Sequence, residues 1–441
     1  RDRSRGKPSP AQLDLSLDML THCLDGDYMS ETGVDCRNYG VLDGIEEAKR
    51  LCMPMLGVAH DEIIIGGNSS LQLMYDTIAK AYTHGLLHSE KPWAKLDKVK
   101  WLCPAPGYDR HFKVTQAFGM ELITVPMNDD GPDMDMVEEV IKDPAVKGMW
   151  CVPKYSNPDG IVYSDEVIDR IAHLKPAAKD FLLMWDNAYC IHEFDGEFRP
   201  FRDILTLCSE AGNPDMVFEF ASTSKITFPG SGVACFACSE ANMAYMKKLI
   251  SAQTISFDKI NQLRHALFLK DRATALAHMK KHAEFLKPKF DIVLEYLERE
   301  IKPLDIGKWH TPKGGYFVSF FTIPGCAKRT NQLAKEAGVV MTAAGAALAV
   351  LVVMLVLVMV VVMLVFIVVV MVLMLIMVMV MFMLIMIVVM LMLIMVMVMM
   401  MLCLILCMTC LSKHLHLEIV LTFHSLKNLL SFNSIPISSD N

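Results

Sequence analysis

The chain has 441 residues, with 42 Lys and Arg against 49 Asp and Glu and a formal net charge of -7. Only four charged residues follow Gly345, and they cancel, so the acidity belongs to the residues before it. A mildly acidic sequence without a Lys/Arg-rich run lacks the footprint of a nucleic-acid-binding protein, and we expect no nucleic-acid partner.

The 13 cysteines are dispersed, and no apolar signal peptide opens the sequence, which favours reduced thiols and a cytoplasmic protein. Arg1 is not an initiator methionine, so we expect a fragment or a processed product. We expect no metal site, because Cys235 and Cys238 face opposite sides of a predicted strand and no second ligand pair accompanies them. His278 and His282, four apart on a charged stretch, predict a solvated helix face.

Short apolar runs alternate with amphipathic stretches as far as about residue 345, which predicts an α/β domain around a mainly parallel sheet. The predicted strands are 62–65, 99–103, 121–125, 148–152, 181–185, 217–221 and 233–237, and the clearest helices between them are 71–84, 134–142 and 165–174. A helix over 279–299, which Pro288 should kink or divide, and a strand pair near 307–321 around Gly314-Gly315 predict a second, smaller α+β domain.

Composition divides the chain into five expected regions. They are an N-terminal segment and arm (1–40), a large cofactor-binding domain (41–255), an incomplete small C-terminal domain (256–345), an apolar low-complexity segment (346–408) and a polar tail (409–441).

The apolar segment uses only Val, Leu, Met, Ile and Phe over residues 350–402. Two membrane spans of about 20 residues would fit by length, but no polar connection separates them. Codons for these five amino acids share a middle uracil, so a simple DNA repeat read in one frame would encode the run. We favour this origin, and a membrane-attached protein is the alternative.

The candidate chemistry centres on Lys225 in FASTSKITFPGSG, residues 220–232. Taken alone, a lysine after an apolar strand is more often a solvated loop residue. Here the strand is predicted to be buried, and Ser222 and Ser224 could bond a phosphate beside a Schiff base.

Polar residues also follow other predicted strands, at the edge where ligand sites of open α/β sheets lie. Asp186, in MWDNAY, suits a protonated pyridine nitrogen, although it could equally cap the next turn. Asn157, in NPDG, marks by itself only a turn. Asn68, Ser69 and Ser70 open a helix after Gly-Gly, which suits a phosphate or an ordinary N-cap.

In this combination and order, the segments resemble those of fold-type I pyridoxal-phosphate aminotransferases, closest to the aspartate aminotransferase subgroup related to aminotransferase-like regulators. The resemblance covers about residues 5–344. It implies a large, mixed, mostly parallel sheet domain with a smaller α+β domain, and pyridoxal 5'-phosphate as cofactor.

The resemblance also implies roles for individual residues. Lys225 would carry the cofactor and move the substrate α-proton, and Asp186 would pair with the ring nitrogen. The other implied contacts are Tyr189 and Asn157 at the ring's 3′ oxygen, Asn68, Ser69, Ser70 and Ser222 at the phosphate, Tyr108 stacked on the ring, His111 supporting the carboxylate, Tyr39 reaching the partner subunit's phosphate in a homodimer, and the Gly6 backbone at the substrate.

Two departures from the family pattern stand out. Ser231 or Gly232 occupies the place of a phosphate-binding Arg, and no Arg follows Arg329 to clamp the substrate carboxylate. We expect an aminotransferase that moves an amino group between an amino acid, with aspartate or another dicarboxylate as its donor, and a 2-oxo acid. The alternatives are a lyase on the same fold and a cofactor-binding protein without turnover.

Overall fold

The structure is a computed structural model that describes residues 8–24, 26–195, 197–339 and 341, together with 377, 384, 386–387 and 390–401. Contacts divide the chain into two units, Arg1–Val353 and Met354–Asn441. In the second unit, residues 390–401 are helical. The predicted polar tail and most of the apolar segment lie outside the described residues. In the part of the chain that is described, no helix is both long enough and apolar enough to cross a membrane.

A mixed sheet forms the centre of the first unit. Within the described residues it has eight strands in the order β1-β8-β7-β6-β5-β2-β3-β4. Their bounds are β1 (Ile63–Ile65), β2 (Lys100–Ala105), β3 (Glu121–Asn128), β4 (Gly131–Pro132), β5 (Val146–Cys151), β6 (Leu182–Asp186), β7 (Val217–Ser222) and β8 (Ala234–Cys238). The run from β7 through β6, β5 and β2 to β3 is parallel, whereas β8 is antiparallel to both β7 and β1.

The helices complete the layered architecture that the sequence predicts. They are α1 (Pro10–Asp14), α2 (Glu46–Leu56), α3 (Ser70–Thr83), α4 (Asp109–Ala117), α5 (Met134–Val140), α6 (Asp165–Ala172), α7 (Ile204–Glu210), α8 (Glu240–Ser251), α9 (Lys259–Leu269), α10 (Arg272–Tyr296) and α11 (Ala327–Glu336). The predicted helices 71–84, 134–142 and 165–174 correspond to α3, α5 and α6. The N-cap of α6 is Ser164, whose side chain accepts a hydrogen bond from the backbone of Val167.

Two apolar layers cover the two faces of the sheet. Along β7, Val217 and Ala221 belong to one layer, and Phe218 and Phe220 belong to the other, because successive strand side chains point to opposite faces. Burying a large apolar side chain stabilises a fold by about 1.5–3 kcal/mol. The sheet is therefore a rigid base for the residues that follow its strand ends.

The smaller α+β part differs from the prediction at its helix. Helix α10 begins at Arg272 because Asp271 caps it, accepting a bond from the Thr274 backbone, and it continues past Pro288 instead of dividing there. The predicted strand pair is confirmed as β9 (Gly307–Trp309) antiparallel to β10 (Phe320–Thr322), with Gly314 and Gly315 in the connection.

Candidate active site

The parallel strands bring several predicted site residues to one edge of the sheet. β6 ends at Asp186, and β7 ends at Ser222, immediately before a short 3-10 turn over Thr223–Lys225. The Thr223 side chain accepts a bond from the Val233 backbone at 2.9 Å, which ties this turn to the start of β8. Lys225 therefore stands on a turn whose position the sheet fixes.

Lys225 is only partly exposed and lies against an aromatic ring. Its Nζ atom is 4.3 Å from the centre of the Tyr189 ring. Burial lowers the pKa of the Lys225 amine, and the charge of Asp186 opposes that shift. Burial also raises the pKa of Tyr189 well above its usual value, with the Asp186 charge adding to it. Burial thus makes the Lys225 amine easier to deprotonate and keeps the Tyr189 phenol neutral.

Asp186 is buried, and its two oxygens have different surroundings. The Oδ2 atom lies 3.0 Å from His111 Nε2, and the His111 ring stacks on Trp150 with 4.4 Å between ring centres. Trp150 in turn donates to the Thr115 hydroxyl at 2.8 Å. The Oδ1 atom has no hydrogen-bond partner within the described residues. A buried carboxylate oxygen without a partner is costly, so it suits a cationic or N–H group supplied by a ligand.

Hydroxyl groups gather at the same edge, where β8 links two segments. Ser222 is opposite Ala234 in the β7–β8 pair, and the Ala234 backbone donates to the Gly67 carbonyl at 2.7 Å. Ser69 is the N-cap of α3, but its side chain makes no capping bond to the helix, and Ser70 is the first helical residue. Free hydroxyls beside the N–H groups of a helix start form a suitable anion site.

Three further predicted residues surround these groups. The Asn68 amide donates to the Gly230 carbonyl at 3.3 Å, which joins the start of α3 to the lysine loop. Tyr108 precedes α4, with its ring 5.0 Å from that of His111. Asn157 follows β5, is half-buried and forms a cis bond with Pro158.

The structure does not bring every predicted residue to this edge. Tyr39 is 78 % exposed, with its ring outside the core of its own chain. Gly6 lies outside the described residues. Among the described residues, no group of three or more His, Cys, Asp or Glu side chains could hold a metal ion, and Cys235 and Cys238 pack into opposite apolar layers.

The expectation that His278 and His282 form a solvated face is wrong. Both are buried, at 6 % and 0 % exposure, because this face of α10 packs against the segment that follows Lys225. Sequence reasoning also missed His192 and Tyr316, whose rings lie near Tyr189. The spacing Tyr-x-x-His after the Asp-Asn-Ala-Tyr motif is the only local signal for His192.

Comparison with known proteins identifies the family. The family model described as aspartate amino-transferase matches residues 1–350. The chain belongs to this family. It is 45 % identical to an aspartate aminotransferase of Corynebacterium glutamicum over 344 residues, which is 78 % of this chain and 80 % of that protein. The crystal structure of an aspartate transaminase from the same organism superposes with a TM-score of 0.77 at 45 % identity and covers 78 % of this chain and 82 % of that one.

A more distant structure shares the fold of this aminotransferase family. LysN, an α-aminoadipate aminotransferase of Thermus thermophilus solved with N-(5'-phosphopyridoxyl)-L-leucine, has a TM-score of 0.61 at 21 % identity over 77 % of this chain and 81 % of its own. The predicted fold class is confirmed, and the chain is a pyridoxal-phosphate-dependent aminotransferase. The unpaired Asp186 oxygen, the amine of Lys225 and the hydroxyls at the start of α3 fit that cofactor's ring nitrogen, aldehyde and phosphate.

Proposed function

We propose that this aminotransferase moves the amino group of aspartate, or of another dicarboxylic amino acid, to a 2-oxo acid, with Lys225 as the residue that carries the cofactor. The observation that carries the assignment is the pair formed by the partly buried Lys225 amine and the unpaired Asp186 oxygen at one sheet edge. The aspartate aminotransferase of C. glutamicum, 45 % identical, supports the choice of donor.

Each side chain has a defined task in this proposal. The bound cofactor supplies an electron-withdrawing ring that accepts the electron pair left on the substrate α-carbon. Asp186 would keep the ring nitrogen protonated, and His111 fixes the orientation of the carboxylate through Oδ2. Lys225, whose amine is made easier to deprotonate by burial, would hold the cofactor through its aldehyde group. With substrate bound, the same amine would act as the base that moves the substrate α-proton.

The remaining residues hold the cofactor. Tyr189 and Asn157 would orient the ring through its 3′ oxygen, and Tyr108 would stack on it. Ser222, the hydroxyls of Ser69 and Ser70, and the backbone N–H groups at the start of α3 would bind its phosphate.

A homodimer completes the site in this proposal. The exposed Tyr39 ring is presented by a loop that Lys259 fixes on both sides, because its Nζ atom donates to the Asn38 and Gly40 carbonyls at 2.6 and 2.9 Å. A fixed loop that presents an exposed phenol supports a contact with the partner subunit's phosphate. The Gly6 backbone would meet the substrate.

Borohydride reduction followed by peptide mapping tests the assignment of Lys225. The cofactor-loaded enzyme should carry the reduced label on Lys225 alone. Lys225→Ala should lose the label, whereas the control Lys142→Ala, which changes an exposed lysine, should keep it. A label on another lysine would refute the assignment.

The reaction type has its own measurement. With aspartate carrying ¹⁵N in its amino group and a 2-oxo acid acceptor, the label should appear in a new amino acid. Release of the label as ammonia would favour a lyase instead.

A further inference from the structure

Helix α10 places two imidazoles against the residue that follows the cofactor lysine. His278 and His282 are one helical turn apart, and their Nε2 atoms are 3.2 Å from each other. The His278 Nε2 atom is also 3.0 Å from the carbonyl oxygen of Ile226. The His278 ring therefore contacts the main chain next to Lys225, and the His282 ring contacts His278.

The N-terminal segment completes this contact from the other side. The Gln12 amide donates to the Tyr316 hydroxyl at 3.2 Å and lies 3.3 Å from His282 Nδ1. The Ser16 hydroxyl lies 3.2 Å from His278 Nε2. Gln12 and Ser16 are 1 % and 0 % exposed, so these polar contacts are shielded from water, where a hydrogen bond is stronger.

Tyr316 brings the small α+β part into the same network. Its hydroxyl donates to the Lys225 carbonyl at 3.5 Å, a long bond, and its ring centre is 6.1 Å from that of His192. The His192 ring also meets Tyr189 edge-on at 5.5 Å. The His192 carbonyl accepts a bond from Gly315 at 3.1 Å, which fixes its backbone to the connection between β9 and β10.

The buried surroundings of His192, His278 and His282 favour the neutral form of each ring. Burial lowers the pKa of His192, of His278 and of His282, and the charge of Lys225 lowers that of His192 further. A neutral ring offers one donor and one acceptor. In this form His278 contacts the Ile226 carbonyl and His282 contacts His278 without adding positive charge beside the lysine amine, whereas the ring nitrogens of His192 have no hydrogen-bond partner among the described residues.

We propose that His192, His278 and His282, here called the imidazole cluster, together with Gln12 and Tyr316 form a positioning device for Lys225 that is complete only when helix α1 is docked. The device acts through the carbonyls of Lys225 and Ile226, and it rests on the proposed role of Lys225 as the cofactor-carrying residue. A displacement of about 1 Å at a reacting group can cost on the order of a hundredfold in rate, so this main-chain support affects catalysis without contact with the substrate.

The first test compares variants of His282 on the full-length enzyme. In His282→Leu, the visible circular dichroism of the lysine-bound cofactor should weaken, and cofactor-free protein should capture added pyridoxal phosphate roughly tenfold more slowly, with turnover lowered by at least as much. His282→Gln, which keeps one amide donor and one acceptor, should restore part of each signal. Lys281→Gln, an exposed neighbour on α10, should match the wild type.

The second test asks whether the helix α1 contact belongs to the same device. Gln12→Leu should lower the capture rate, and the double variant Gln12→Leu/His282→Leu should lose little more than either single variant, because groups that act as a unit are not additive. Asp14→Asn, an exposed change on α1, should leave the capture rate unaltered.

Two results would overturn the proposal. One is a wild-type capture rate and spectrum in His282→Leu, and the other is a loss that merely follows a lower unfolding temperature and that His282→Gln does not relieve. Borohydride labelling of the wild type distinguishes failure of this proposal from failure of the proposed function. Normal labelling at Lys225 with an unaffected His282→Leu would reject the imidazole cluster alone, whereas labelling elsewhere would reject the role of Lys225 itself.

Discussion

At the scale of single residues, Asp186 shows how one carboxylate combines support and function. The Oδ2 atom is committed to His111, which is itself held by stacking on Trp150. The Oδ1 atom remains without a partner in the described part of the chain. One oxygen thus fixes the group, and the other is left for a ligand.

Changing Asp186 should separate turnover from cofactor binding. Asp186→Asn removes the negative charge that keeps the ring nitrogen protonated, but leaves the phosphate and lysine contacts. We expect turnover to fall on the order of a hundredfold or more, while the variant still binds pyridoxal phosphate. Stopped-flow measurement of the half-reaction with aspartate, beside an absorbance titration of the cofactor, checks both parts. The surface change Asp18→Asn serves as the control, and a near wild-type rate in Asp186→Asn would remove Asp186 from the mechanism.

Residues in local motifs were predictable, and residues joined by distant contacts were not. Asp186 ends one apolar run that marks a strand, Lys225 lies one short turn after another, and parallel strands place their carboxyl ends together. His282 has charged neighbours such as Lys280 and Lys281, so its local pattern resembles a surface. In the fold it contacts Gln12, 270 residues away in sequence, and no local pattern reports such a contact.

At the scale of elements, the segment between β6 and α7 depends on one buried ion pair. Lys154 and Glu193 are 2.6 Å apart, with each side chain 2 % exposed. The Lys154 amine also donates to the carbonyls of Cys190 and Arg199 at 2.8 and 2.9 Å. The irregular chain that carries His192 is therefore held in place by a lysine from the loop that follows β5.

Breaking this pair should destabilise the fold much more than breaking a surface pair. Lys154→Met leaves the Glu193 carboxylate buried without its cation, and we expect a loss of about 3–5 kcal/mol in the free energy of unfolding. The exposed pair of Lys302 and Glu298 provides the control, since Lys302→Met should cost less than about 1 kcal/mol. Urea denaturation of the three proteins checks this, and equal losses would show that the buried pair has no special weight.

The strands were easier to predict than the boundaries of some other elements. All seven predicted strands are present because each is a long enough apolar run to be recognised. β4 was missed because a strand of two residues, Gly131 and Pro132, is too short to show the alternation of apolar and polar residues that marks a strand. The start of α10 was placed too late because its cap, Asp271, lies before the strongest apolar pattern. Pro288 did not divide the helix because packing can outweigh a lost backbone hydrogen bond.

At the scale of the whole molecule, buried titratable groups of opposite kinds shape the dependence of stability on pH. Burial lowers the pKa of both His265 and His282 to about 4. Burial raises the pKa of Glu219 to about 8, although a bond from the Asn187 amide partly opposes the shift. The histidines therefore favour the folded state above their unfolded pKa of 6.5, and Glu219 favours it below its unfolded pKa of 4.5.

Removing the charge of Glu219 should separate these two contributions. Between pH 4.5 and about 8 the folded wild type binds more protons at Glu219 than the unfolded chain does, so this stabilisation is lost as pH rises. Glu219→Gln cannot ionise, and its free energy of unfolding should exceed that of the wild type by an amount that grows with pH, to a few kcal/mol near pH 8.

The same variant should lose stability from pH 6.5 towards 4, because the histidines of the unfolded chain then bind protons that the buried histidines of the folded state do not bind. Urea unfolding at pH 5, 6.5 and 8 measures both trends, with the exposed change Glu284→Gln as control. A difference between Glu219→Gln and the wild type that does not vary with pH would show that Glu219 does not titrate in this range.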